Sequence, residues 1–125
     1  MHFEFTDSEV ADCQWQAGSL QLRFSAARVL QGEGAGMVEQ WMPVLLTADH
    51  AEPWEQQAPG ACLGRLRHGT VLHASQRLAR LPLPCHLQGV VTMELEFAQG
   101  TIVHVRCGGL ALQALSGAGV QAYQC

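Results

Sequence analysis

Between Gly89 and Cys107 apolar and polar residues alternate. Val91, Met93, Leu95 and Phe97 are separated by Thr92, Glu94 and Glu96; Thr101, Val103, Val105 and Cys107 are separated by Ile102, His104 and Arg106. A period of two marks half-buried strands, so the segment is expected to form a hairpin. A two-residue Gln99-Gly100 turn would set Leu95 against His104 and Met93 against Arg106, driving charge into the apolar face. A three-residue Ala98-Gln99-Gly100 loop, with Gly100 left-handed, sets Leu95 against Val103 and Met93 against Val105. The second register is expected. It places Glu94 opposite His104 on the outer face, between Glu96 and Arg106.

The same period recurs upstream. Phe3 and Phe5 open a strand, and Glu9 to Gln16 and Ser19 to Leu30 form a hairpin with Leu20, Leu22, Phe24 and Ala26 on one face. Either a two-residue Ala17-Gly18 turn or a four-residue loop pairs Trp15 with Leu20 and Cys13 with Leu22. Gly32 to Gly36 breaks the chain. From Met37 to Thr47, Val38, Met42, Val44 and Leu46 share a face, with Trp41 and Leu45 on the other. Pro43 lacks a ladder donor, so this strand is expected at a sheet edge or at a bulge. Trp41 and Leu45 then form a dimer seam, or are covered within the monomer.

Ala48 to Gly60 has no useful period. A hairpin around His68-Gly69 is expected, then one short helical turn at most near 76–81, where Leu78 and Leu81 accompany Arg77 and Arg80. Gly108-Gly109 is expected to end the last ladder, with 110–115 a further strand rather than a helix, and Val120 to Gln124 a closing strand. Eight to nine short strands at close spacing predict an all-β fold, a compact antiparallel β-barrel or β-sandwich, in a single domain 1–125.

Composition narrows the functional classes. The chain has 125 residues, enough to bury roughly 65% of the surface exposed on unfolding, so it has no need of a metal or disulfide merely to fold. Charged residues are 14%, and thirteen glutamines supply neutral polarity. A weakly charged surface favours self-association, so a homo-oligomer is expected. Residues 1–60 carry a net −7 and residues 61–125 a net +3. The basic stretch Arg65, Arg67, His68, His73, Arg77 and Arg80 has no interleaved aromatics, which argues against nucleic acid. All seven bases are arginine, a bias of GC-rich bacterial genomes rather than a choice of chemistry. No run of about 18 apolar residues predicts a membrane helix. Five cysteines without a C-x-x-C, and no signal-like N-terminus, predict reduced thiols in the cytoplasm.

Candidate chemistry is sparse. Glu94 beside His104 would orient an imidazole or support a ligand, with Arg106 adjacent. Asp49, His50, Glu52, Trp54 and Glu55 cluster in the acidic loop, where an aromatic platform beside acids suits a cationic or sugar ligand. Their spacing matches neither a hard-cation loop nor a zinc site, so no metal or cofactor is predicted. Cys13, Cys62 and Cys107 fall where a buried thiol is ordinarily inert core, whereas Cys85 and Cys125 are expected to be more accessible. No catalytic spacing emerges. The expected role is a non-enzymatic binding or assembly module, acting as a homo-oligomer with Trp41 and Leu45 at the interface. One alternative is a barrel binding a small ligand in a pocket bounded by residues 48–60. Another is a hydrolase or metal enzyme using His104 with Glu94, or His50.

Overall fold

The computed structural model describes residues 1–32, 34–53 and 62–115. Trp54, Glu55, the rest of the acidic loop and the expected strand at 120–124 lie outside them. Nine strands follow in chain order: β1 (His2–Gln16), β2 (Ser19–Gln31), β3 (Val38–Asp49), β4 (Glu52–Pro53), β5 (Gly64–His73), β6 (Gln76–Leu78), β7 (Arg80–Pro82), β8 (Cys85–Phe97) and β9 (Ile102–Ala114). All pairings are antiparallel. β1, β2, β3, β9, β8 and β5 lie side by side, and β5 returns to β1 through Glu9↔Arg65 and Val10↔Gly64. The sheet is thus a closed six-stranded barrel, with β4, β6 and β7 added to β9, β5 and β1. Closure gives the backbone groups of otherwise exposed edges a partner.

The main hairpin has the expected register: Leu95↔Val103, Met93↔Val105 and Glu94↔His104. Gly100 has φ +105°, the left-handed region that suits glycine, and its N–H bonds Phe97 O at 2.9 Å. The β1–β2 register also stands, with Trp15↔Leu20 and Cys13↔Leu22 around a two-residue Ala17-Gly18 turn.

Other expectations are corrected. β2 and β3 slip between Phe24↔Val44 and Ala27↔Met42, so Ser25 and Ala26 oppose Pro43 alone. This bulge reverses the side-chain alternation, and Ala27 and Val29, not Ala26, continue the buried face. Pro43 stands where the ladder is already broken, so its missing donor leaves no partner unserved. His68-Gly69 is not a turn: β5 runs through it, and the chain reverses at Ala74-Ser75, both left-handed. Gly108-Gly109 does not end the ladder, which continues to Ala114 opposite β3 and β8. Residues 76–78 and 80–82 are strands, and the helical turn among the described residues is at Gly34–Gly36. Several strands are long rather than short, β1 spanning 15 residues.

Apolar side chains pack together in the barrel interior. Phe3, Phe5, Phe24 and Phe97 are fully buried, with Leu22, Leu46, Leu66, Val71, Leu81, Met93 and Val105 around them. Phe3 meets Phe5 edge-on at a ring distance of 4.8 Å and Phe24 at 5.1 Å. Ser8, also fully buried, donates its hydroxyl to Glu4 O (2.6 Å) and accepts from Arg28 N–H (2.8 Å). It thereby ties β1 to β2 where Asp7, at φ +72°, disturbs their register.

Candidate functional site

The partly exposed titratable groups of β8 and β9 lie on the outer wall. On β8 and β9 the outward row is Thr92↔Arg106, Glu94↔His104 and Glu96↔Ile102. His104 Nε2–H donates to Glu94 Oε2 at 2.5 Å, both side chains being partly exposed. A partly exposed cross-strand pair of this kind contributes about 0.2–1 kcal/mol.

β4 brings Glu52 level with Arg106. Between β3 and β4 the chain turns at His50, whose φ of +51° is left-handed, and the ring comes to rest over Gly108. A Cβ on Gly108 would lie 3.3 Å from His50 Cβ and 3.6 Å from Nδ1, so glycine permits this approach. Across the ladder β8 bulges at Gly89-Val90, between Gln88↔Gly109 and Val91↔Cys107. The corner and the bulge enclose an open recess of about 320 Å³ lined by His50, Glu52, Val90, Arg106, Cys107 and Gly108.

Arg106 forms no ion pair among the described residues, so its guanidinium remains available to an anion. Glu52 opposes a densely charged ligand at the same place. Burial raises the Cys107 thiol, more than a backbone hydrogen bond from Gly109 lowers it, and a protonated thiol is a poor nucleophile. Among the described residues no three His, Cys, Asp or Glu converge as metal ligands.

The structure therefore brings His50 and Arg106 to one recess and keeps Glu94 with His104 on the adjoining wall. Val90 and Gly108 were not legible as lining residues. Their one signal was glycine inside a strand pattern, which marks a bulge or a close approach.

A second outward row lies on β3. Glu39, Trp41, Pro43, Leu45 and Thr47 project from the barrel, opposite in phase to the buried Val44, Leu46 and Ala48. Trp41 is 48% exposed and Leu45 is partly buried. Beside this apolar row runs a ladder of charge across four strands. Arg80 bonds Glu4 at 3.2 Å, Arg28 approaches Glu4 at 3.8 Å, and Arg28 Nε donates to Glu39 at 2.8 Å. Part of the basic second half thus faces the acidic first half within one chain. Trp15, like Trp41, is exposed.

The chain matches no protein-family model, no curated protein and no solved structure. No helix among the described residues is long and apolar enough to cross a membrane.

Proposed function

We propose that the chain is a non-enzymatic binding module that works as a homo-oligomer, two copies meeting through the outer wall of β3. The observation that carries this reading is Trp41, a tryptophan nearly half exposed in line with Pro43 and Leu45. About half of a tryptophan surface is ~120 Å², which contributes about 3 kcal/mol per copy when buried.

Charge supports a second copy as the occupant. Arg23 stands beside Leu45 across the β2–β3 ladder, and Glu39 is two residues from Trp41. The apolar row is therefore bracketed by Arg23 at one end and by the Arg28–Glu39 ion pair at the other. A two-fold copy laid antiparallel sets Arg23 beside the Arg28–Glu39 pair at both ends, where it would share the Glu39 carboxylate, the self-complementarity that an isologous interface requires. The weakly charged surface adds little long-range repulsion between copies.

Sedimentation velocity across the micromolar range tests the proposal. The wild type should associate, Trp41→Ser should weaken association by a factor of ten or more (about 1.4 kcal/mol), and Arg23→Glu with Glu39→Arg should restore what either change alone removes. A wild type that stays monomeric at high micromolar concentration overturns it.

A second reading rests on Arg106. Its guanidinium, without an ion pair among the described residues, shares the recess with His50, and a small monoanion could sit between them.

A further inference from the structure

The recess on the outer wall owes its shape to a position without a side chain. Gly108 lies on the outward side of β9, in phase with Arg106. His50 rests against it from the β3–β4 corner. From the other side β8 inserts one residue, so that Gly89 and Val90 together stand opposite Gly108. Gly89 carries this bulge with φ +89°. The resulting hollow of about 320 Å³ falls at the low end of the range for small-molecule sites, roughly 300–1,000 Å³.

Its border holds two opposite charges and one apolar surface. Glu52 is level with Arg106 across the β4–β9 ladder, and both side chains are exposed. Register partners have Cβ atoms about 4.5–5.5 Å apart, so these two are close enough to pair. They form no ion pair with each other, and neither has one elsewhere among the described residues. Arg106 therefore offers a fork of N–H donors, and Glu52 two acceptor oxygens, side by side. A simple anion would satisfy the first and be repelled by the second, and a simple cation the reverse. A molecule with a carboxylate and an ammonium on one carbon satisfies both. Val90, 58% exposed, adds an apolar surface beside them.

We propose that the recess binds a small apolar α-amino acid as its zwitterion. The carboxylate lies on the Arg106 guanidinium beside the His50 ring, the ammonium on the Glu52 carboxylate, and the aliphatic side chain over Val90. This assignment rests on the second reading above, in which Arg106 holds a monoanion, and names the class of that anion. Hydrogen bonds between ionised partners are roughly twice as strong as neutral ones, so each end of the zwitterion contributes to selection. The apolar side chain is selected because it covers Val90, which water otherwise contacts.

The test uses three probes of one carbon skeleton, titrated into the full chain at neutral pH and followed by the amide resonances of His50, Arg106 and Gly108. Valine carries both charges, isovalerate only the carboxylate, and isobutylamine only the ammonium. Valine should bind at least tenfold more tightly than either. Glu52→Gln should bring valine to the level of isovalerate and leave isovalerate at least as tight as before. Val90→Thr should remove the advantage of valine over glycine. The substituted side chains are exposed, and the unchanged remainder of the amide spectrum verifies the fold of each variant. Isovalerate binding as tightly as valine would overturn the zwitterion assignment and leave the anion site standing. An advantage of valine that survives Glu52→Gln would overturn it as well. Isobutylamine matching valine, or no shift with any of the three, would remove the anion site along with it.

Discussion

Gly69→Ala is a one-methyl probe of whether the barrel interior is as rigid as its contacts imply. Gly69 sits inside β5, paired with Leu95 of β8, and is buried. A Cβ there would lie 2.6 Å from Phe5 Cβ, 2.7 Å from Cγ and 3.0 Å from Cδ1. Carbon atoms in comfortable contact are about 3.5–4.0 Å apart, so roughly 1 Å must be found. Phe5 has nowhere to retreat: it is fully buried and edge-on against Phe3, which itself abuts Phe24. Overpacking of this kind costs typically 1–3 kcal/mol, and a clash with the base of an immobile ring belongs at the upper end. Against it stands the lower unfolded-state entropy of alanine, about 0.4–1 kcal/mol in the other direction, since Gly69 has no left-handed φ to protect. The net expectation is destabilisation by about 2 kcal/mol. Urea unfolding followed by tryptophan fluorescence measures it, with Gly36→Ala as control, because nothing lies within 4 Å of a Cβ there. Gly36→Ala should be neutral or slightly stabilising. Adding Phe5→Leu should recover part of the Gly69→Ala loss, with a coupling energy of about 1 kcal/mol in a double-mutant cycle. A Gly69→Ala protein within about 0.5 kcal/mol of wild type would refute the argument from an unyielding aromatic core.

The remaining predictions concern proton and anion binding. The Cys107 thiol is raised above its ordinary value of 9.0 by burial, so the folded chain keeps a proton there that the unfolded chain releases. Its contribution to stability is complete below about pH 9 and is lost as the pH rises further; the urea midpoint should therefore fall more steeply above that pH in the wild type than in Cys107→Ser, and equal slopes would contradict the assignment. For the recess, acetate or formate titrated into the full chain should shift the amide resonances of His50, Arg106 and Gly108. Arg106→Ala should weaken that binding at least tenfold, whereas equal shifts in the variant would remove the anion reading.

How much was legible follows from what each residue had to satisfy. The hairpin registers were readable because each strand shows one face to the core, and a one-residue slip would bury His104 or Arg106. The β2 bulge was hidden because Ala26 and Ala27 are equally apolar, and what selects Ala27 is the ladder broken opposite Pro43. Gly69 resembled a turn glycine because His-Gly between two apolar runs fits a hairpin. Its actual requirement is set by Phe5, 64 residues earlier in the chain. Barrel and sandwich share one alternation, and only the β1–β5 pairing separates them, a contact between segments about 55 residues apart. The Glu94–His104 pair came from register alone. His50 was singled out for its acidic neighbours, but its place over Gly108 depends on the β3–β4 corner and the β8 bulge, and neither leaves a periodic trace.

Pro43 and closure together constrain how copies of this chain can meet. A protein with an open sheet edge can associate by adding strands, and its backbone groups then supply the energy with little regard for side chains. Here the six barrel strands close on one another, and Pro43 offers no N–H while its carbonyl accepts from Leu115 N–H at 2.9 Å. Along this stretch of β3, strand addition would meet a missing donor and an occupied acceptor. Val38–Met42 pair only with β2 among the described residues, so the face-to-face contact proposed here is distinguished from strand addition by its side chains, Trp41, Leu45 and the charges that bracket them. That is why a charge swap between Arg23 and Glu39 is the discriminating perturbation: a backbone-mediated contact would be indifferent to it, whereas a face-to-face contact would lose one register with the first substitution and regain it with the second.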